Sequence, residues 1–186
     1  MSANVAITYS GADLRDVAEA FAEGAEEITA TVRVRRVPGA DVGARADREV
    51  TFGDLEWADG IAFGTPIGLG RPAAELMGFL ESTEPLWNSG RLTEKAVSVF
   101  TDEPEHFAPD AVVQPLYDAL YHWGAVIIGP RAFELEFGAH PAERDSEREG
   151  SLSGPRWRTA HYRGRRLAAL ASTLASERAR RLSLEL

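Results

Sequence analysis

Short apolar runs alternate with longer amphipathic stretches along this chain. Ala3 to Tyr9 is a compact apolar run suited to a buried strand. From Asp13 to Ile28, residues Leu14, Val17, Ala18, Phe21 and Ala25 recur at helical spacing. Thr31 to Val37 sets Val32, Val34 and Val37 among arginines and reads as a second strand. Residues 38–53 are polar and glycine-bearing, with no clear element, and Asp54 to Asp59 suits a short helical turn. Gly60 to Gly64 is a third strand. Pro72 fits the first position of a helix that continues through Leu76, Met77, Phe79 and Leu80. Lys95 to Thr101 reads as a fourth strand. Pro109 starts a helix that runs to about Trp123 and stops at Gly124, and Ala125 to Ile128 is a fifth strand. After a long polar connection over residues 129–155, Arg156 to about Arg181 forms the last helix, with arginines near its C-terminus that complement its dipole.

Strands and helices alternating five times predict an α/β fold, a three-layer sandwich with a parallel sheet covered on both faces. Right-handed crossovers leave few topologies, and 2-1-3-4-5 is the common five-stranded order. The 186 residues show no internal repeat and suit a single domain over 1–186.

Composition removes several classes of function. There is no cysteine, which excludes disulfides, thiolate catalysis and cysteine-based metal sites. The net charge is −9, from 29 acidic against 20 basic residues, so a phosphate backbone is repelled and nucleic acid is an unsuitable partner. Lys95 is the one lysine, and the other 19 basic residues are arginines. Such a balance resembles proteins of extreme halophiles, and high genomic GC content would favour it equally. No apolar run reaches about 18 residues, and no basic segment precedes an apolar one at the N-terminus. A soluble cytoplasmic protein with no membrane partner is the expectation.

The most informative segment is Gly60-Ile61-Ala62-Phe63-Gly64-Thr65-Pro66-Ile67-Gly68-Leu69-Gly70-Arg71-Pro72. A buried strand runs into a Thr-Pro turn and a loop with two glycines, at the carboxyl edge of a central strand, where open α/β sheets bind ligands. Gly68 and Gly70 permit positive φ and let a flat ligand approach the backbone.

Other segments give this loop a context. Glu23-Gly24-Ala25, Val34-Arg35-Arg36-Val37-Pro38, Ala58-Asp59-Gly60 and Phe63-Gly64-Thr65-Pro66 follow in order. Later come Phe79-Leu80, Leu86-Trp87-Asn88-Ser89-Gly90-Arg91-Leu92, Lys95-Ala96-Val97-Ser98-Val99-Phe100 and His122-Trp123-Gly124. With these segments the chain resembles the WrbA-type NAD(P)H:quinone oxidoreductases, a branch of the flavodoxin-like fold, over about residues 3–130. The resemblance implies FMN held by three loops and two-electron reduction of a quinone-like small molecule by NADH or NADPH. It also implies self-association to a dimer or tetramer whose subunits complete each other's sites.

The resemblance assigns the first loop to Ser10, Gly11, Ala12, Asp13 and Leu14, where a phosphate would sit on a helix N-terminus. The loop is one residue shorter than in the family and carries Asp13. A plain helix cap by Asp13 or Ser10 is the competing reading, and the opposed charges favour it. The second loop is Thr65, Pro66, Ile67, Gly68, Leu69 and Gly70, which would lie along the isoalloxazine edge. The family usually has Arg-Phe where this chain has Gly68-Leu69, and Arg71 could restore the charge. A simple strand-to-helix turn is the alternative there.

The third loop begins at Thr101 and Asp102 and continues Glu103-Pro104-Glu105-His106. Ionised carboxylates and proline cannot donate hydrogen bonds to a flavin, which favours a solvated acidic loop. Trp87 matches a tryptophan that stacks near a neighbouring subunit's flavin, with a core or interface role as the alternative. Trp123 replaces a histidine thought to line the quinone site, and a core role suits it and His122 better. His106, His140 and His161 lack metal-ligand spacing and read as solvent-exposed. No catalytic acid or base is required, since a flavin carries the redox chemistry.

A response-regulator receiver shares the fold, but Gly64-Thr65 and Tyr9-Ser10 stand where its aspartates would be. Two functions of different class remain. One is the flavoenzyme; the other is a flavodoxin-like module that has lost FMN and serves in interaction or structure.

Overall fold

The computed structural model describes residues 2–28, 30–41, 43, 47–101, 110–129 and 155–184. Strand β1 (Asn4–Tyr9) leads through a single 3-10 turn (Ala12–Leu14) into α1 (Arg15–Glu26). Then come β2 (Thr31–Arg36), α2 (Phe52–Trp57), β3 (Gly60–Thr65), α3 (Ala74–Ser82) and α4 (Glu84–Asn88). The chain continues through β4 (Ala96–Thr101), α5 (Asp110–His122), β5 (Val126–Ile127) and α6 (Pro155–Leu184). The strands form one parallel sheet in the order β2-β1-β3-β4-β5, as the alternating pattern predicts.

Strand alternation explains the layers. Gly60 and Gly64 turn toward α1 and α6: a methyl group at Gly60 would lie 2.9 Å from the Ala171 side chain of α6. At Gly64 it would lie 2.4 Å from the ring of Phe100, which stacks at 5.3 Å on Phe21 of α1. Phe63 faces the other way and meets Trp123, just past α5, edge-on at 5.8 Å. Each such fully buried large side chain contributes about 1.5–3 kcal/mol.

Helices α1 and α6 lie against each other with almost no side-chain spacer. A Cβ at Gly24 would fall 1.9 Å from the His161 carbonyl oxygen, and one at Gly164 would fall 1.9 Å from that of Phe21. Two glycines therefore let the backbones touch.

Edge strand β2 is blunted by its arginines. Arg33 lies 3.8 Å over the Trp57 ring, and the Arg33 and Arg35 guanidinium groups reach Asp54 at 3.0 and 3.3 Å. Burial alone would raise the Asp54 carboxyl pKa. Hydrogen bonds from Thr51, Arg35 and Arg33 outweigh it and hold the group below the usual carboxylate range. Thr51 and Asp54 also form a reciprocal capping box, which starts α2 two residues earlier than the apolar pattern suggests.

A later helix start and one extra element also differ from expectation for local reasons. The helix anticipated at Pro72 begins at Ala74, because the Ala73 N–H donates to Thr65 Oγ1 at 2.8 Å and Ala73 stays extended. The five-residue α4 was not anticipated; Pro85 at its start fits the first turn. Pro109 and most of the 129–155 connection lie outside the described residues.

Candidate functional site

The first two loops meet at the carboxyl edge of the sheet. The Ser10 N–H donates to the Gly64 carbonyl at 3.0 Å, and a Cβ on Gly11 would approach the Pro66 ring to 3.3 Å. Thr101, which opens the third loop, pairs in register with Thr65. The junction lies between β1, whose chain leads outward to β2, and β3, whose chain leads the other way to β4. That reversal is the switch point at which such sheets bind ligands. Asp102 and the rest of the acidic loop, with His106, lie outside the described residues.

The second loop is held from below and open above. Buried Thr65 donates its hydroxyl to the Pro66 carbonyl at 3.1 Å and accepts from Ala73 N–H, which fixes the exit of β3. Gly68 and Arg71 exchange backbone hydrogen bonds of 3.2 and 2.9 Å around Leu69 and Gly70, whose φ values are 49° and 71°. Two consecutive left-handed residues make a type I′ turn. Leucine pays about 1–2 kcal/mol for that conformation, yet its side chain is wholly exposed. Among the described residues, neither the Leu69 nor the Gly70 N–H finds an acceptor. A strained apolar tip with two open donors is suited to the edge of a flat heteroaromatic molecule.

The first loop departs from the helix-cap reading. Gly11 has φ 107°, and neither the 3-10 turn nor α1 carries a side-chain cap, so Asp13 and Ser10 cap nothing. Instead the fully buried Ser10 donates its hydroxyl to Glu75 Oε1 at 2.7 Å. Glu75 sits in the first turn of α3, 65 residues away. Among the described residues, the N–H groups of Gly11, Ala12 and Asp13 meet no acceptor, while Leu14 is buried in the core.

Beside this loop, the Tyr9 hydroxyl and Arg15 Nε both donate to Asp47 Oδ2, at 2.7 and 3.0 Å. Burial tends to raise the Asp47 carboxyl, but the Arg15 and Tyr9 hydrogen bonds prevail and lower it. Burial and the same carboxylate push the Tyr9 phenol well above its ordinary value. Both groups keep their protonation state through neutral pH and offer no proton to exchange. Sequence reasoning missed Glu75, Asp47 and Arg15; Glu75, an acidic residue in a first helical turn, reads as a dipole partner.

The two tryptophans sit on different elements from these loops, Trp87 on α4 and Trp123 just past α5, where it packs edge-on against Phe63 of β3. Trp123 is buried, and Gly124 beside it accepts the Glu94 N–H at the start of β4, at the opposite edge of the sheet. Exposed Trp87 sits on α4 toward that same edge, where the following Arg91 pairs with Glu56 and the Glu56 carbonyl accepts Lys95 Nζ. His161 is not solvent-exposed: it stacks on Trp157 at 4.4 Å and contacts Glu27 at 3.1 Å. Among the described residues no cluster could hold a metal ion, and no helix is long and apolar enough to cross a membrane.

The chain is similar to curated proteins along most of its length. It is 31% identical to an NAD(P)H dehydrogenase (quinone) of Paracoccus denitrificans, covering 88% of this chain and 90% of that one. It is 34% identical to the protein of the same name from Geotalea uraniireducens, covering 86% and 92%. The chain belongs to the NAD(P)H dehydrogenase (quinone) family. No family model matches it. Among solved structures, a WrbA-like flavodoxin from Agrobacterium tumefaciens superposes with a TM-score of 0.65 at 23% identity, over 92% of this chain and 99% of that one. An archaeal flavodoxin gives 0.62 at 13% identity, over 91% and 99%. These likenesses fix the fold as flavodoxin-like.

Proposed function

We propose that the protein is a flavin-dependent NAD(P)H:quinone oxidoreductase that passes two electrons from NADH or NADPH to a quinone-like acceptor. The observation that carries this reading is the exposed Leu69-Gly70 turn, with its two open N–H donors, at the switch point between β1 and β3. The names of the relatives at 31% and 34% identity supply the reaction class. A bound flavin supplies the redox chemistry, and the protein's part is binding and orientation. Leu69 and Gly70 N–H would hold the ring edge, the Leu69 side chain would cover the ring, and Thr65 and Pro66 would keep the turn in place.

FMN is the flavin that the family resemblance implies. Its ring end fits these residues, whereas its phosphate would meet the Glu75 carboxylate on Ser10 and the negative charge of Asp13. Trp87 is exposed on α4, which suits the part that the family resemblance implies for it, stacking near the flavin of a neighbouring copy. The reading therefore includes a homodimer or homotetramer of single-domain, cytoplasmic subunits.

The test is flavin fluorescence quenching by the purified protein at micromolar concentration, in dilute and in molar salt, followed by NAD(P)H oxidation with a benzoquinone. Quenching with quinone-dependent oxidation is expected. No quenching by either riboflavin or FMN would leave the second reading, a flavodoxin-like module without flavin.

A further inference from the structure

We propose that the tail end of this site selects a hydroxyl and rejects a phosphate, so that the protein binds riboflavin-class flavins in preference to FMN. The inference rests on the flavin reading above and specifies which flavin that site takes. Ser10, which begins the first loop, is fully buried, and its hydroxyl is committed as a donor to Glu75 Oε1 at 2.7 Å. A carboxylate thus stands beside the loop that would otherwise cradle an anion. Asp13, an exposed acid, is part of the same loop. The nearby Arg15 does not offset them, because it is joined to Asp47 at 3.0 Å and to Glu19 at 2.9 Å.

What remains is a mixed set of partners. Gly11, Ala12 and Asp13 offer N–H donors with no acceptor among the described residues, and Glu75 keeps lone pairs beyond the one that Ser10 uses. A phosphate dianion can accept from the donors but has no proton for the carboxylate. A terminal ribityl hydroxyl satisfies both, accepting from an N–H and donating to Glu75. Selectivity then comes from repulsion against the wrong ligand as much as from attraction to the right one. A like charge at contact distance, partly screened by solvent, corresponds to about ten- to a hundredfold in affinity.

The test is equilibrium titration of the full protein with riboflavin, FMN and lumiflavin (the ring without a tail), read by fluorescence quenching. Riboflavin is expected to bind at least about tenfold more tightly than FMN, and more tightly than lumiflavin. In Glu75→Gln the FMN-to-riboflavin ratio of dissociation constants should shrink to within about threefold. A thermal melt of that variant shows that it is folded, and the ratio in the unaltered protein decides the matter independently. FMN binding as well as or better than riboflavin overturns the inference while leaving the flavin reading intact. So does a ratio unchanged by Glu75→Gln, or lumiflavin equal to riboflavin. If none of the three flavins binds, the flavin reading falls and this inference with it.

Discussion

Alanine is the best helix former, so replacing a helical glycine with it ordinarily stabilises a protein by about 1 kcal/mol. Gly24 in α1 should do the opposite. Its new methyl carbon would sit 1.9 Å from the His161 carbonyl oxygen, 2.7 Å from the carbonyl carbon and 3.0 Å from the Cα. These are backbone atoms of α6 and have no rotamer to escape into. To reach van der Waals contact the helices must separate by more than about 1 Å, which forfeits a quarter to a half of each contact along the interface. That interface buries Phe21, Ala25, Ala160 and Leu167. Overpacking of this kind costs about 3 kcal/mol, near the upper end of its usual range, because no side chain can give way. Net of propensity, Gly24→Ala should destabilise by about 2 kcal/mol, a fall in Tm of about 4–8 °C. Gly164→Ala should behave alike, since its methyl would meet the Phe21 carbonyl oxygen at 1.9 Å. The double variant should lose less than the sum, because one separation relieves both clashes. Gly78→Ala in α3 is the control: nothing lies within 4 Å of its added carbon, and it should gain about 0.5–1 kcal/mol. The assay is urea denaturation followed by circular dichroism at matched salt. Gly24→Ala as stable as the parent, or shifted like Gly78→Ala, refutes the tight crossing.

Two further predictions concern stability. Lys95 is held at a pKa of about 8, first by burial and then by the charge of Arg178, against the pull of Asp59 and Glu56. The unfolded chain binds this proton more tightly, so the penalty is full below about pH 8 and is relieved as pH rises. Stability should increase by about 2 kcal/mol between about pH 7.5 and 10, and Lys95→Met should abolish that rise in urea titrations across the window. A flat profile for the parent would contradict it; the raised Tyr9 phenol opposes the trend only above its ordinary value of 10.0. Trp123→Ala should cost about 3–5 kcal/mol by emptying the space against Phe63, again read by urea denaturation. Unchanged stability with a raised KM for quinone would return Trp123 to the substrate site.

The sheet was legible because β1, β3 and β4 are continuous apolar runs, the mark of strands buried on both faces, and because α1 shows a clean helical period. Helix starts were less legible. At Pro72 the proline signal is genuine, but a threonine hydroxyl seven residues upstream keeps the chain extended until Ala74. The loop Thr65 to Arg71 was recognisable because glycine, proline and strand termination are local properties. Its tail end was not. Ser10 and Glu75 are 65 residues apart, and only the β1–β3 pairing brings them together. Gly24 and Gly164 were equally silent, since the need for glycine arises from the other helix's backbone.

Lys95 is also the only ε-amine in the sequence. Its nitrogen is buried on the carbonyl oxygens of Ala58 and Glu56, at 2.5 and 3.1 Å. Acylating reagents that modify surface lysines on almost any other protein therefore find this one shielded while the fold is intact. Uptake of a single ε-acyl group, counted by mass spectrometry, becomes a clock for the opening of the β3–β4 end of the sheet.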